Sequence, residues 1–390
     1  MFLPCFDSPT RHYTFYYDES NNHRKFYINE NDGSYNVDND PRRKHAAATN
    51  FMLAGLAHRG DTCTANTSDL IKCLRLQKTA KELKFDQVAS GNFDAVLKSA
   101  KINQILKWIL DSDLYIHYFN LSMEYWAFVD IIDDCVHHCL NSGRIRLQSE
   151  QHWRHFLDFH KDVLFRLLEV DKANFLETMR KFNYPKIHGN ERDFLLALRN
   201  LAINRANLLS LNDADDSIAE EIKSMTSLAD LLSECMDIEG MDLTFNDEAG
   251  LLVDGLSVFY QNRGVMFKNS MHVFDDEFSV EDDLKILNSD TSRARIKYRF
   301  VNSVDSHLTQ ISDVVAGLFA KYFEFIERNT MKQILNMKSK FNRYQQETLR
   351  LMREIIDKSD NECKPFLYYV MTASAHHKHG TFMFPDEYRG

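Results

Sequence analysis

The sequence contains little proline and glycine, with 6 prolines and 13 glycines among 390 residues. An all-β chain with many tight turns needs more of both, so we expect helices to dominate. Long apolar runs are also missing, because no stretch approaches the roughly 18 consecutive apolar residues of a transmembrane helix. The N-terminus lacks the basic segment and the long apolar segment of a secretory signal. These absences predict a globular, helix-rich cytoplasmic protein that does not bind a membrane.

Cysteine pairing and excess positive charge are lacking as well. The seven cysteines are an odd number scattered over the chain, which suits reduced thiols better than a disulfide framework. Asp and Glu (57) outnumber Lys and Arg (47), so the formal net charge is −10. This balance argues against a non-specific nucleic-acid coat protein, but it leaves open a nuclease with local contacts. Neither the glycine-rich phosphate loops of nucleotide-binding folds nor the G-x-S-x-G turn of serine hydrolases is present.

Runs of β-branched and aromatic residues near both ends of the chain enclose a long helical stretch. Strands are predicted at 13–17 and 25–28, as a hairpin, and at 51–58, 114–119, 270–274 and 296–301. Apolar spacings of three and four predict helices at 68–85, 94–110, 306–328 and 330–358, and further helices from 122 to 263. This order predicts a mixed α+β or α/β sheet surrounded by helices. The core falls into two halves, 11–120 and 266–328, separated by a large helical insertion, 121–265, and followed by a helical C-terminal extension, 329–390.

Acidic residues follow two of the predicted strands. The triplet Asp18-Glu19-Ser20 ends the first strand, where it either lies at the rim of a mixed sheet as part of a site or simply begins a turn. The triplet Asp275-Asp276-Glu277 follows the strand at 270–274. Its carboxylates are either a ligand set or the loop and first turn of the next helix, where acids are favourable. We favour the second interpretation for this triplet.

A basic stretch surrounds Glu82. Its members recur every three residues, at Lys72, Arg75, Lys78, Lys81 and Lys84. At this spacing on a helix, the basic side chains spiral slowly around the axis and would follow a phosphate backbone. The alternative is a solvated helix face.

The predicted helix 306–328 has an unusual polar face. Its apolar residues form one stripe, whereas Gln310, Asp313 and Gly317 fall together on the opposite side at about 100° per residue. A solvated face normally carries Lys and Glu, so this composition predicts close approach to a metal, another element or a ligand. Asp305 stands just before the helix and is either catalytic or the helix N-cap.

The segment Cys135-Val-His-His-Cys139 looks like a metal cluster at first sight. Zinc usually takes its four ligands as two spaced pairs, and no matching pair is obvious elsewhere in the chain. We therefore expect these residues to pack in the core or at the surface.

The motifs together resemble one family. Asp18-Glu19-Ser20, Glu82-x-Lys84, Ile116-His117-Tyr118, and the run Asp305-Ser306 to Gln310, Asp313 and Gly317 are similar to the motifs of the domain of unknown function 3800 (DUF3800). This family is grouped with ribonuclease H-like folds, and its members are often found near mobile elements and phage-defence genes. The resemblance covers roughly 11–120 and 268–328, without the helical insertion and the C-terminal extension.

The resemblance implies a ribonuclease H-like mixed sheet with a metal site at its rim. Asp18, Glu82 and Asp313 would converge there and bind Mg²⁺ or Mn²⁺, which prefer oxygen ligands. Two such ions about 3.5–4 Å apart would activate water and stabilise the leaving oxygen of a phosphodiester. Asp305 and Glu19 are further catalytic candidates. The residues expected to contact the substrate are Lys81, Lys84, Gln310 and Ser20.

One position departs from the family pattern. A fourth acid is expected at the end of the strand at 114–119, where His117-Tyr-Phe-Asn120 stands instead, and its role would pass to Asn120, Asp275 or Asp276. The resemblance predicts a metal-dependent nuclease acting on RNA or DNA, as an antiviral-defence effector. The alternative is a non-catalytic module that recognises nucleic acid through the basic stretch or a partner protein through the helical insertion.

Overall fold

The computed structural model describes residues 9–21, 25–29, 34–37, 44–45, 50–77, 80–146, 148–211, 215–243, 248–276, 278–289 and 295–385. Ten β-strands form within these ranges. They are β1 (Tyr13–Ser20), β2 (Lys25–Ile28), β3 (Tyr35–Val37), β4 (Lys44–His45), β5 (Asn50–Arg59), β6 (Tyr115–Ser122), β7 (Leu251–Asp254), β8 (Met271–Asp275), β9 (Lys297–Val301) and β10 (Leu367–Val370).

Sixteen α-helices form within the same described ranges. They are α1 (Thr67–Cys73), α2 (Phe85–Val88), α3 (Phe93–Val96), α4 (Ala100–Asp111), α5 (Met123–Phe128), α6 (Asp130–Asn141), α7 (Glu150–Val170), α8 (Lys172–Lys181), α9 (Glu191–Ser210), α10 (Asp216–Glu234), α11 (Ser257–Met266), α12 (Phe278–Ser289), α13 (His307–Arg328), α14 (Met331–Ser339), α15 (Arg343–Glu362) and α16 (Ala373–Met383). Single turns of 3-10 helix lie at Ser303–Asp305 and Lys364–Phe366.

Six strands form the central sheet, in the order β10-β6-β5-β1-β8-β9. β5 pairs antiparallel with both β1 and β6. β8 pairs parallel with both β1 and β9, and β10 pairs parallel with β6. A second, antiparallel sheet has the order β4-β3-β2-β7. The prediction of a mixed sheet with many helices around it is confirmed.

The predicted hairpin of the first two strands is wrong, because β1 and β2 belong to different sheets. The first six residues of β1 are all buried, so this strand is covered on both faces and takes a central position between two neighbours. β2 alternates between half-buried and buried residues, which is the pattern of a strand with one covered face. Both strands are rich in aromatic residues, so their composition does not show that β1 is covered on both faces and β2 on one.

The helices depart from their predicted bounds at several places, and one of them is the predicted helix 94–110, which breaks into α3 and α4. The predicted helix 68–85 ends after α1, since Arg75 has a left-handed φ of 47° that an α-helix does not allow. The last part of the stretch from 122 to 263, which was predicted to be helical, contains β7 before α11. The predicted helix 330–358 breaks between α14 and α15, where the Asn342 side chain accepts hydrogen bonds from the N–H groups of Tyr344 and Gln345 and begins a new helix.

The central sheet is buried on both faces. One face packs against the helices of the insertion in a core that includes Phe15, Tyr17 and Phe119. The other face packs against α4, α13 and α15 in a core that includes Leu56 and Tyr118. The C-terminal region, predicted as a helical extension, therefore belongs to the same sheet and core, because it contributes β10 and α15.

The helices of the described ranges differ from membrane spans. None of them combines the length and the low polarity that crossing a lipid bilayer requires. The cytoplasmic location stays a prediction.

Candidate active site

Two aspartates lie side by side where β1 and β8 end. Tyr17 and Phe274 are paired in register between these parallel strands, and Asp18 and Asp275 follow them directly. Both side chains therefore leave the sheet on the same face, the one that α13 covers. The carboxyl ends of parallel strands are where ligands bind in open sheets.

Residues 82–84 form an extended segment that leads into α2, and they are not part of the predicted helix. Lys84 has φ −130° and ψ 156°, and Leu83 is fully buried in the core. Since side chains alternate along an extended segment, Glu82 and Lys84 share the side opposite Leu83. This side faces the two aspartates at the strand ends.

The polar face of α13 holds this segment in place. Gln310 Oε1 accepts a hydrogen bond from the N–H of Leu83 (2.9 Å), and Asp313 Oδ2 accepts one from the N–H of Phe85 (2.5 Å). Gly317 lies so close to the Phe85 ring that a Cβ atom there would be 2.3 Å from Phe85 Cγ. The prediction of close approach at this face is confirmed, and the neighbour is another element of the chain.

Four carboxylates surround the ammonium of Lys84. Its Nζ lies 3.7 Å from Asp275 Oδ2, 3.8 Å from Asp18 Oδ2, 3.8 Å from Asp313 Oδ1 and 3.9 Å from Glu82 Oε2. The four residues, which we call the carboxylate cluster, come from four separate parts of the chain. The structure thus brings together the three predicted metal ligands, Asp18, Glu82 and Asp313, and adds Asp275 to them.

The backbone aims one oxygen of each aspartate at the centre of the carboxylate cluster by fixing the other oxygen. These hydrogen bonds run from the N–H of Glu19 to Asp18 Oδ1 (2.7 Å), from the N–H of Ser303 to Asp275 Oδ1 (3.1 Å), and from the N–H of Phe85 to Asp313 Oδ2 (2.5 Å). The Ser303 hydroxyl donates to Glu82 Oε2 (2.7 Å). Asp18 Oδ2, which points inward, is buried and accepts no hydrogen bond.

Negative charge is in excess in the carboxylate cluster. Burial raises the pKa of Asp18 well above its usual range, repulsion from Glu19 and Asp313 adds to this rise, and Lys84 opposes it. Burial also raises the pKa of Asp313, against the opposing effects of the Phe85 N–H and of Lys84. Burial lowers the pKa of Lys84, but attraction to the carboxylates outweighs it and leaves that pKa raised. One ammonium does not neutralise four carboxylates, so the cluster favours additional positive charge.

The donor chemistry of the carboxylate cluster suits a divalent cation. Its donors are all carboxylate oxygens, the ligands that Mg²⁺ and Mn²⁺ prefer, and Asp18, whose inward oxygen has no hydrogen bond, is only 6% exposed. The separations of 3.7–3.9 Å are contacts with an ammonium, whereas Mg²⁺ needs oxygens at about 2.1 Å. Accordingly, no group of three or more His, Cys, Asp or Glu residues in the described ranges is arranged as a metal cage. Metal binding therefore requires Lys84 to leave this position.

Glu19 and Ser20 have different relations to the carboxylate cluster. Glu19 lies on the opposite face of β1 from Asp18, where its Oε2 accepts a hydrogen bond from the Tyr260 hydroxyl (3.1 Å). It is therefore outside the cluster, although its charge still acts on Asp18. Ser20 is half-buried at the end of β1 and, two residues after Asp18, lies on the cluster's face of the strand.

Asp305 and Gln310 lie next to the carboxylate cluster without facing its centre. Asp305 is exposed in the 3-10 turn, and Ser306, not Asp305, is the N-cap of α13, because its hydroxyl accepts from the N–H of Thr309. Gln310 is buried, and its Nε2 donates to the carbonyl oxygen of Ser303 (2.8 Å) while its Oε1 accepts from the backbone. Gln310 therefore positions the segment 82–85, and its amide is not presented to a substrate.

The basic stretch around Glu82 does not follow one helix. α1 ends at Cys73, Lys81 is exposed in the irregular segment beyond it, and Lys84 points into the carboxylate cluster. Lys78 lies outside the described residues. The predicted spiral of phosphate-binding side chains along a helix is therefore wrong.

Asp275 belongs to the carboxylate cluster, although the sequence favoured a place for it in the loop before the next helix. The available signal was the repeat of an aromatic residue followed by Asp at two strand ends, Tyr17-Asp18 and Phe274-Asp275. Of the other substitutes for the missing fourth acid, Asp276 is exposed. Asn120 is buried in β6, where its Oδ1 accepts a hydrogen bond from Asn50 Nδ2 (3.2 Å).

The cysteine segment of α6 packs in the core of the insertion, as expected. Cys135 and Cys139 are both fully buried. Cys139 Sγ lies 3.4 Å from Cys235 Sγ, and no disulfide joins the cysteines of the described ranges.

Comparison with known proteins found no relative of this chain. No family model, no curated protein and no solved structure matches the chain. The resemblance to DUF3800 stays a prediction, and a functional proposal depends on the carboxylate cluster itself.

Proposed function

We propose that this protein is a divalent-metal-dependent nuclease that hydrolyses phosphodiester bonds in RNA or DNA. The observation that carries the proposal is the carboxylate cluster, in which four acids from separate parts of the chain each direct an oxygen at one point. Gathering four carboxylates lowers the stability of the folded state unless cations compensate them, and one lysine is too little. Convergent carboxylates of this kind suit Mg²⁺ or Mn²⁺ in phosphodiester hydrolysis.

The sheet supports the ribonuclease H-like part of the proposal. The strands β1, β5 and β6 come first in the chain and are antiparallel, and the parallel strands β8 and β9 and then α13 follow the helical insertion. The resemblance implies this order. In this sheet the acids of the carboxylate cluster lie at the end of β1, before α2, at the end of β8 and on α13. An antiviral-defence role stays a prediction from the resemblance.

Each part of the carboxylate cluster has a task in this proposal. Asp18, Asp275 and Asp313, with Glu82, would hold the cation, which when bound supplies an activated water and stabilises the charge on the leaving oxygen. Backbone N–H groups keep the inward oxygens of the aspartates oriented. Lys84, once released from the cluster, would pair with a phosphate oxygen of the substrate.

Calorimetric titration with MnCl₂ tests the proposed metal site. We expect the wild-type protein to bind Mn²⁺ and the double variant Asp18→Asn/Asp313→Asn to lose binding, because two inward carboxylates lose their charge. The matched control is Asp276→Asn/Asp305→Asn, which removes two exposed acids next to the cluster and should bind Mn²⁺ like the wild type. Cleavage of labelled single-stranded RNA and DNA should require both Mn²⁺ and the intact cluster.

Two results would overturn the proposed function. One is a wild-type protein that binds neither Mn²⁺ nor Mg²⁺ and cleaves no nucleic acid in their presence. The other is equal loss of metal binding in the cluster variant and in the control, which would show that the loss is not specific to the cluster.

A second candidate function is a non-catalytic binding module. Lys84 already supplies a cation at the centre of the carboxylate cluster, so the cluster has a purely structural interpretation as an ion-pair network. The insertion also exposes two apolar side chains at the end of α9, Leu208 (61%) and Leu211 (82%), which suit contact with a partner protein. In this case Mn²⁺ would not bind, and the titration separates the two candidates.

A further inference from the structure

The segment that leads into β9 carries a basic residue at every second position. It reads Arg293-Ala-Arg295-Ile-Lys297-Tyr-Arg299-Phe. A period of two is the repeat of a β-strand, whose successive side chains point to opposite faces. The basic side chains are therefore expected on one face and the apolar side chains on the other.

The structure follows this alternation. Ile296 is buried, and Tyr298 and Phe300 pack against the core on the insertion side of the sheet. The exposed residues that alternate with them, which we call the basic stripe, are Arg295, just before β9, and Lys297 and Arg299 within it. β9 is the edge strand of the central sheet, so the basic stripe is open to solvent along its length.

The basic stripe lies on the same face of the sheet as the carboxylate cluster. In the parallel register of β8 and β9, Arg299 pairs with Val273 and Val301 pairs with Asp275, and paired residues point to the same face. Tyr16 of β1 pairs with Val273, so Arg299 and Tyr16 flank the same residue of β8. Burial raises the pKa of Tyr16, and the charge of Arg299 opposes this rise. Val301, which pairs with Asp275, is therefore the next residue after Arg299 on that face of β9.

The basic stripe has no paired acid among the residues that the structure describes. Its three side chains form no ion pair or hydrogen bond with any residue of the described ranges, whereas Arg11 and Arg59 both pair with Glu362. Charges on an edge strand often only prevent edge-to-edge aggregation. The opposite edge, β10, reads Leu-Tyr-Tyr-Val and carries no charge, so this sheet does not rely on charge at its edges.

We propose that the basic stripe binds the phosphodiester backbone of a nucleic acid and leads it to the carboxylate cluster. Alternate residues of a strand are about 6.6 Å apart, so the three cations can meet successive phosphates of one extended backbone. Such contacts give affinity without reading sequence. The direction of the path toward Asp275 rests on the proposed function, whereas binding to the basic stripe does not require hydrolysis.

Fluorescence anisotropy with short labelled oligonucleotides tests the inference. The full-length triple variant Arg295→Gln/Lys297→Gln/Arg299→Gln is compared with the control Lys186→Gln/Arg192→Gln/Lys223→Gln, which removes equal charge from exposed positions of the insertion. Single-stranded RNA, single-stranded DNA and duplex DNA are separate probes, and EDTA prevents metal-dependent cleavage. We expect the stripe variant to bind at least one probe about tenfold more weakly than the control. For a single strand, the slope of log K against log salt should fall by about 2, since each lost phosphate contact removes about 0.7.

The outcomes separate this inference from the proposed function. Wild-type protein that binds no probe, or a stripe variant that binds every probe like the control, overturns the inference. A stripe variant that only aggregates more, with unchanged binding in its monomeric fraction, also overturns it and assigns the charges to edge protection. Mn²⁺ titration is run in parallel and should be unchanged in both variants. Loss of oligonucleotide binding without any Mn²⁺ binding in the wild type supports the basic stripe while the proposed function fails.

Discussion

The two ends of α13 each carry a half-buried acid, and the two acids have different surroundings. Asp313, near the start, belongs to the carboxylate cluster, where three other acids meet it around one lysine. Glu327, near the end, accepts a hydrogen bond from Asn50 Nδ2 (2.8 Å), and Asn50 also donates to Asn120 (3.2 Å). Burial raises the pKa of Glu327 to about 7. A raised pKa is therefore common to both ends of the helix and does not by itself mark a functional site.

Glu327 and the carboxylate cluster differ in how their negative charge can be neutralised. A single carboxyl among amide donors becomes neutral by taking up one proton, and its hydrogen bonds then complete a structural network. Four converging carboxylates cannot be relieved by one proton or by one ammonium, and their backbone hydrogen bonds keep the inward oxygens in place. The carboxylate cluster differs from Glu327 in two ways. Several charges converge in it, and hydrogen bonds prevent its inward oxygens from moving apart.

The largest effect is expected from Lys84→Met, which removes the cation from the carboxylate cluster. Without it the four carboxylates repel one another, so the free energy of unfolding should fall by more at about pH 8 than at about pH 5, where acids with raised pKa values take up protons. The control is Lys81→Met, an exposed neighbour that should change stability little at either pH. Urea denaturation at both pH values measures the effect. An equal loss for Lys84→Met at both pH values would mean that its packing, and not its charge, matters, and the contrast with Glu327 would fail.

A smaller effect is expected from Gly317→Ala. A Cβ atom there would lie 2.3 Å from Phe85 Cγ, so the segment 82–85 must move away from α13, at a cost of about 1–3 kcal/mol in stability. Lys84 and Glu82 would move with it, and Mn²⁺ binding should weaken even though no cluster residue is replaced. Urea denaturation and Mn²⁺ titration check the two expectations. Ala320 is already an alanine on the same helix, and Ala320→Gly serves as the opposite control, which should lower stability without weakening metal binding.

The smallest effect, and one of opposite sign, is expected from Glu327→Gln. The pKa of Glu327 in the folded protein is about 7, above its usual 4.5, so the folded state holds a proton that the unfolded chain releases. Wild-type stability should therefore decline as pH rises from 4.5 toward about 7. The glutamine has no such proton to lose, so its free energy of unfolding relative to the wild type should increase with pH. The same substitution at the exposed Glu177 is the control, and a pH profile parallel to the wild type would contradict the assignment.

The sequence predicted the class of fold because strands and helices alternate clearly near both ends of the chain. β6, β8, β9 and α13 fall close to their predicted ranges, since each has strong periodicity and clear end signals. The pairing of β1 was not predictable from local pattern, because its partner β8 lies far along the chain. Local aromatic composition instead suggested a hairpin with β2.

The candidate site was predictable in part. Gln310, Asp313 and Gly317 were recognised as a face that contacts something, because uncharged and small residues rarely occupy a solvated helix face. The sequence from Glu82 to Lys84 does not show that this neighbour is an extended segment. Its conformation is imposed by hydrogen bonds that it donates to α13. Asp275 was named only as one of three substitutes for the missing acid, because an acid after a strand and an acid before a helix look the same in the sequence. Only the parallel register beside Asp18 separates the two.

The position of β1 at the middle of the central sheet has a consequence for the order of assembly during translation. The N–H of Tyr13 bonds to Ser270 Oγ, 257 positions later in the chain. At the usual rate of synthesis this separation corresponds to roughly 10–50 s. β5 emerges early and can cover one edge of β1, but the other edge stays open until β8 leaves the ribosome. The aromatic run of β1 is exposed to aggregation during this interval, and the four acids meet only after α13 has been synthesised.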